Sequence, residues 1–367
     1  MIGKPKFYNL KNILAKNAQY NVIFGERSNG KTYAVLKYAI ERYAKTGEQL
    51  AIVRRWQDDF TGKRGATMFD ALVANNEVGK ATNGVWTGVY YWGSRWFFCK
   101  WDDDTGKMVK AEMPFAYGFS ISSMEHDKST SYPNITTICF DEFLTRTQYL
   151  QDEFVLFMNV VSTIVRHRTN VKIFMLGNTV NKYCPYFGEM GLTHIKDMQT
   201  GDIDVYKYGK SALTVAVEYC ATSNKGGKAS DLYFAFDNPK LTMITGGAWE
   251  IDIYPHCPIK YAPSDVLFTY FILFYGDTLQ CEIVSHNDLC FTFIHRKTTE
   301  LKGIETDLIY SPDFNPRPNW KRKITKPTSA LEKKIALFYA EDKIFYQDNE
   351  VGEIVRNYLM WCGKAVD

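Results

Sequence analysis

The stretch GERSNGKT, Gly25 to Thr32, has the spacing G-x-x-x-x-G-K-[ST]. That spacing suits an anionic phosphate chain. Gly25 permits the turn out of a strand, and Gly30 lets the backbone approach the oxygens closely. Between them Glu26, Arg27, Ser28 and Asn29 would fold their N–H groups around phosphate. Lys31 opens a helix and reaches the β- and γ-phosphates. Thr32 can ligate Mg²⁺, and the helix N-terminus favours the anion. The bland alternative is a turn carrying a surface lysine. A second requirement is an acid at the end of another strand. TTICFDE supplies it: Ile138, Cys139 and Phe140 read as a buried strand from which Asp141 emerges to hold Mg²⁺. Glu142 follows, where a carboxylate can orient or deprotonate an attacking water, which favours hydrolysis over phosphoryl transfer to a substrate. Asn178, after Gly177, either senses the γ-phosphate or lytic water beside Asp141 or serves only a turn. Arg166 and Arg168 close a helical segment. They either answer the helix dipole or offer an arginine finger to a neighbouring subunit.

These residues need a scaffold, and the chain patterning provides one. YNVIF (20–24) is a short strand running into the glycine loop. Lys31 to about Lys45 has helical periodicity, and Gly47 is placed to end it. LAIVRRW (50–56), NITTICFDEF (134–143) and VKIFMLGN (171–178) read as further strands, and 153–168 as a helix. Strands alternating with helices argue for an α/β fold with a parallel sheet covered on both faces. Between the second and third strands, the aromatic alternation from Gly84 to Phe115 and its DDDTGK turn predict a β-hairpin insertion. Beyond about 197 the signals weaken, and ATSNKGGKASD reads as linker. Residues 265–298 then carry three strands, followed by helices near 328–340 and 351–361, an α+β pattern. The expected division is 1–196, a linker region 197–231, and 232–367.

Composition excludes little. With 367 residues there is room for two domains, and 46% apolar content supports a core. The net charge of +3 gives no bulk argument for a nucleic-acid partner, so any basic surface must be local. The eight cysteines show no C-x-x-C pair, which suits a reducing compartment. The N-terminal stretch lacks the apolar core of a secretory signal, and no stretch approaches a membrane span. The expectation is a soluble, cytoplasmic protein with no membrane partner.

KFYNLKNILA, VIFGERSNGKTYA, YAKTGEQLAIVRRW, DKSTSYPNITTICFDEF and TIVRHRTNVKIFMLGNTV together resemble the DNA-packaging ATPases of phi29-like phages, in order and spacing, over about residues 6–185. The resemblance implies an ASCE, RecA-like P-loop NTPase domain using ATP and Mg²⁺. Gly25 to Thr32 would form the nucleotide loop, Asp141 the metal-linked acid and Glu142 the catalytic carboxylate. Arg166 falls at a trans-acting arginine finger. Lys128 falls at a lysine also acting across the subunit boundary, and Arg54 at an arginine coupled to nucleotide-dependent switching. The family works as a pentameric ring at the portal of an empty procapsid in the host cytoplasm, pumps double-stranded DNA inward, and associates with a packaging RNA.

The resemblance also implies a C-terminal domain like RNase H that has lost its catalytic acids. The sequence agrees: VLFTYFILFY (266–275) holds no acid, Asp265 and Asp277 only flank it, and Asp288 sits in a turn. Competing expectations are a large terminase with an active nuclease and a nucleotide-gated assembly ATPase that moves no DNA. Lys321, Arg322, Lys323 and Lys326 either contact nucleic-acid backbone or form a solvated loop. Lys63, Arg64 and Arg95 are further pore candidates, whereas Trp92 and Trp96 are expected to pack the hairpin. Phe7, Tyr8 and Asn9 either contact adenine or form a packed arm.

Overall fold

A run of apolar residues can persist along a strand only where both sheet faces are covered. In β1 (Tyr20–Gly25), every residue after the first is buried. The same holds along β7 (Ile135–Asp141) and nearly so in β2 (Gln49–Arg54) and β8 (Lys172–Asn178). The computed structural model describes residues 7–25, 29–123, 130–145, 149–178, 184–209, 211–220 and 254–362. These divide into two compact units. One lies within Met1–Thr145, Asp152–Val180 and Asp197–Ala248; the other lies within Arg146–Gln151, Asn181–Lys196 and Trp249–Asp367.

In the first unit β6 (Ala116–Ser120), β2, β7, β8, β1 and β10 (Thr214–Tyr219) lie side by side in that order, all parallel. Antiparallel β9 (Ile203–Lys207) closes one edge. At the other, β3 (Gly88–Trp92), β4 (Arg95–Asp102) and β5 (Lys107–Lys110) form the aromatic insertion, joined to the sheet by antiparallel pairing of β4 with β6. Trp96 there is fully buried and donates its indole N–H to the Gly65 carbonyl at 2.9 Å, whereas Trp92 is exposed. Lys63 and Arg64 lie in a short helix (Gly62–Ala66).

Helix α1 (Lys11–Leu14) precedes β1, and α2 (Lys31–Thr46) follows the glycine loop. Gly47, at φ 74°, donates its N–H to the Tyr43 carbonyl and ends α2. Val35, Leu36, Ala39 and Ile40 turn one face of α2 into the core. Helix α3 (Glu153–Val165) stops three residues short of the expected end, because Arg166 takes φ 49°. The expected linker also needs correction. Ile203–Lys207 and Thr214–Tyr219 are strands β9 and β10, and β10 pairs with β1 from Tyr20↔Val215 to Phe24↔Tyr219. Residues 221–231 lie outside the described ones.

The second unit is built on a meander of β11 (Val266–Phe274), β12 (Asp277–His286) and β13 (Leu289–Arg296). Three short strands extend it in parallel pairing: β14 (Ile309–Tyr310) beside β11, β15 (Trp320–Lys321) beside β14, and β16 (Ile344–Tyr346) beside β13. Helix α4 (Ala330–Ala340) is capped by Ser329, whose Oγ accepts from the Glu332 N–H. Helix α5 (Asn349–Cys362) buries Val351, Ile354, Val355 and Tyr358.

Candidate functional site

The two glycines that flank the loop after β1 are sterically constrained. A Cβ on Gly25 would lie 2.3 Å from Cys220 Sγ, closer than any side chain could tolerate. Gly30 takes φ 92° and caps α2. Lys31 is buried; its Nζ donates to the Gly25 carbonyl at 3.1 Å and to Asn29 Oδ1 at 3.2 Å. Asn29 in turn donates to Cys220 Sγ at 2.9 Å. An ammonium held against the loop's own backbone at a helix N-terminus suits an anion that could take over those contacts. Glu26, Arg27 and Ser28 lie outside the described residues.

Thr32, one residue into α2, donates its hydroxyl to Asp141 Oδ1 at 3.1 Å, bringing together positions 109 apart in sequence. Asp141 ends β7 and is almost fully buried. Burial pushes its carboxyl above the ordinary range, with the Arg54 guanidinium pulling the other way. Arg54, at the end of β2, donates to Asp141 Oδ2 at 2.7 Å and to Glu142 Oε2 at 2.8 Å. Burial works against the Arg54 charge, but the two carboxylates overcome it and hold its pKa above the usual value. Its Nε is buried with no hydrogen-bond partner. Glu142 leaves the strand at φ 62° with an exposed carboxylate.

Asn178 ends β8, which lies between β7 and β1. Its register partner is Gly25, whereas Asp141 pairs with Leu176, two residues earlier. The loop, Thr32, Asp141, Glu142, Arg54 and Asn178 therefore share one end of the parallel sheet, the carboxyl end where open α/β sheets bind ligands. Thr32 and Asp141 form a hard-oxygen pair of the kind Mg²⁺ takes, and the Lys31 ammonium at the start of α2 suits an anionic phosphate.

Arg166 is placed elsewhere. It is exposed, and its guanidinium donates to the Thr130 carbonyl at 2.9 Å, beside the segment entering β7. Asp141 is six residues along that strand, about 20 Å away at strand rise. Arg166 is not in the cluster of its own chain. Its neighbour Arg168 is structural: its guanidinium donates to the carbonyls of Tyr132, Pro133, Ile135, Ile164 and Val165. Lys128 lies outside the described residues.

Tyr8 packs on the loop. Its N–H donates to the Asn29 carbonyl at 2.9 Å and its hydroxyl to Glu218 Oε2 at 2.7 Å. Asn9 Oδ1 accepts from the Lys11 N–H, and Phe7 is exposed beside Gly30. In the second unit Lys321 turns its ammonium to buried Glu332 at 3.5 Å and to the Thr328 hydroxyl, which makes it a structural contact. Arg322 is exposed and Lys323 half-buried. Asp265 accepts from His286 Nδ1 at 2.9 Å. Asp277 pairs with Arg296 at 2.6 Å and Lys196 at 2.9 Å. Among the described residues no cluster of three or more His, Cys, Asp or Glu could hold a metal ion. One pair that no motif singled out, Arg55 with Glu153, lies directly behind Glu142. The only sequence signal for it was a second arginine after an otherwise apolar strand.

Fold and site together define an α/β protein with a phosphate loop at the carboxyl end of a parallel sheet. More specifically, the chain belongs to the Podovirus DNA encapsidation protein (Gp16) family, whose sequence pattern matches residues 2–208. It is 30% identical over 189 residues to the DNA packaging proteins of Bacillus phages phi29 and PZA, which is 51% of this chain and 50% of each relative. The chain thus spans about half the length of the curated relatives it matches. Among solved structures, the Phi-28 gp11 DNA packaging motor is similar over 99% of this chain and 100% of its own, with a TM-score of 0.59 at 17% identity. The bacteriophage Phi-29 viral genome packaging motor assembly is similar over 96% of this chain and 99% of its own, with a TM-score of 0.53 at 21% identity. At these identities the likeness is one of fold, and it extends through both units. Among the described residues no helix is long and apolar enough to cross a membrane.

Proposed function

We propose that this chain is an ATP-hydrolysing motor that moves double-stranded viral DNA into a preformed procapsid. The observation that carries the reading is the 3.1 Å contact of Thr32 with Asp141, which sets the acid strand against the lysine-bearing loop. Family membership and the packaging proteins it resembles supply the DNA and the procapsid. The placement of β8 between the loop strand and the acid strand supports an ASCE-type P-loop fold.

In this reading the backbone from Gly25 to Gly30 and the Lys31 ammonium bind the triphosphate. Thr32 and Asp141 would hold Mg²⁺, which when bound neutralises charge on the phosphates. Glu142 orients or deprotonates the attacking water. Arg54 holds both carboxylates and lets go of one as nucleotide arrives, and Asn178 attends the γ-phosphate side. Arg166, remote from its own cluster, completes a neighbour's site, as does Lys128. The motor therefore acts as a ring, which we take to be pentameric, at the portal vertex in the host cytoplasm, with a packaging RNA as a further partner. Arg322 and Lys323 remain candidates for backbone contacts with DNA.

The second unit is read as an RNase H-like domain without nuclease activity. Two features support this: the strand order β13-β12-β11-β14-β15 with β14 and β15 parallel to β11, and the engagement of Asp265 by a hydrogen bond with His286 and of Asp277 by ion pairs with Arg296 and Lys196. The test uses the full chain. ATP hydrolysis should be stimulated by duplex DNA with a steep salt dependence, and plasmid should stay intact in Mn²⁺. Glu142→Gln should bind nucleotide but lose about 10²–10⁴ in turnover. Normal turnover in that variant removes Glu142 from the chemistry, and indifference to DNA contradicts the motor.

A further inference from the structure

Arg54 and Arg55 are consecutive, so their side chains leave the strand end in opposite directions. Arg54 meets the two carboxylates of the Asp141–Glu142 pair. Arg55 meets the backbone behind them: its guanidinium donates to the Glu142 carbonyl at 3.3 Å and to the Phe143 carbonyl at 3.0 Å. Two further N–H groups form a fork on Glu153, with Nε donating to Oε2 and Nη2 to Oε1, both at 2.7 Å. Arg55 is 6% exposed and Glu153 is fully buried. A planar fork between a carboxylate and two carbonyls fixes the guanidinium in every direction, which a lysine ammonium could not do. Glu153 is itself held in the first turn of α3, where the helix dipole favours its charge.

The backbone that this pair grips is unusual. Glu142 takes φ 62°, a conformation that a non-glycine residue keeps only when its surroundings impose it. Phe143 is fully buried and donates its N–H to the Leu176 carbonyl at 3.2 Å. The side of the dipeptide facing β8 is therefore pinned by β8, and the other side by Arg55.

We propose that Arg55, anchored by Glu153, is a positioning residue that sets where the Glu142 carboxylate stands relative to the attacking water. This rests on the reading of Glu142 as the group that handles that water. Loss of the grip would let the dipeptide relax and move the carboxylate. The glycine loop and Lys31, which bind phosphate, would be left as they are. The signature is therefore a fall in kcat with little change in nucleotide affinity.

The experiment compares the full wild-type chain with Arg55→Met/Glu153→Leu, which swaps the buried pair for apolar groups of similar size, a change cores commonly tolerate. Arg55→Lys serves as a second variant should the first fail to bind nucleotide. Affinity for a fluorescent ATP analogue should stay within about threefold. The kcat for ATP should fall about tenfold to a hundredfold, the scale of a displaced catalytic group. In a Glu142→Gln background the same substitutions should change the single-turnover rate by less than about twofold, because two residues acting through one group are not additive. An unchanged kcat, or the same loss in both backgrounds, overturns the proposal. Absence of hydrolysis by the wild-type chain overturns the motor reading with it, whereas wild-type turnover beside an unaltered variant overturns the positioning role alone.

Discussion

Arg166 and Arg168 are two residues apart, and substitution should separate them completely. Arg168 donates five hydrogen bonds to carbonyls at the end of α3 and in the segment entering β7, the shortest at 2.6 Å. A bond from a charged donor contributes about 1.5–3 kcal/mol when buried. Arg168 is partly exposed and its bonds are not independent, so Arg168→Ala should cost about 2–4 kcal/mol in total. At roughly 2–4 °C per kcal/mol for a domain of this size, Tm should fall by about 5–15 °C. Arg166 is exposed and, among the described residues, reaches the Thr130 and Thr163 carbonyls. Arg166→Ala should stay within about 0.5 kcal/mol of wild type. If Arg166 completes a neighbour's site, however, turnover should fall about 10³-fold or more. The assay is thermal melting of both variants, followed by ATPase measurements on rings assembled from Arg166→Ala and wild-type chains in graded ratios. A trans residue poisons mixed rings, so activity should fall faster than the wild-type fraction. Equal destabilisation by the two variants, or activity strictly proportional to the wild-type fraction, would refute the assignment.

Gly25→Ala places a Cβ 2.3 Å from Cys220 Sγ and 3.0 Å from the Cys220 carbonyl oxygen. It should cost about 1–3 kcal/mol and weaken ATP binding; adding Cys220→Ala should restore part of both, and no recovery in melting or nucleotide titration would count against this packing. In the second unit the His295 imidazole, then the Tyr261 hydroxyl and Gln280 amide, hold Glu282 down to about 2 against burial, and Glu282 raises His295 in return. The Glu282 contribution is present above its ordinary value near pH 4.5 and is lost as pH falls toward about 2. The His295 contribution is full below about 6.5 and is lost as pH rises through its raised value. Melting of wild type should therefore decline on the alkaline side in a way that His295→Gln does not, and superimposable profiles would exclude the pair as a source of stability.

The central strands were legible because β1, β2, β7 and β8 are buried on both faces and so read as unbroken apolar runs. β9 and β10 were not: β10 is placed by pairing with β1 from nearly 200 residues away, and β9 is in turn held only by its antiparallel pairing with β10. The short β14, β15 and β16 offer two or three residues each, too few for any period. The early end of α3 follows from one backbone angle at Arg166 that no side-chain pattern announces. At the site, the glycine loop and the acid strand carry local spacing, so they could be read directly. Arg55 and Glu153 could not: they are 98 residues apart, and charged residues belong on the surface until a partner buries them. Composition alone also ranked Arg166 and Arg168 alike, and only their acceptors distinguish them.

The account stands or falls on where a nucleotide sits. A structure of the full chain with Mg²⁺ and a non-hydrolysable ATP analogue should show the triphosphate wrapped by Gly25 to Thr32. In it Lys31 should have left the Gly25 carbonyl for the phosphates, with Thr32 and Asp141 flanking the metal. An analogue bound elsewhere, or an Asp141 still locked to Arg54 and far from the metal at saturating ligand, would contradict it.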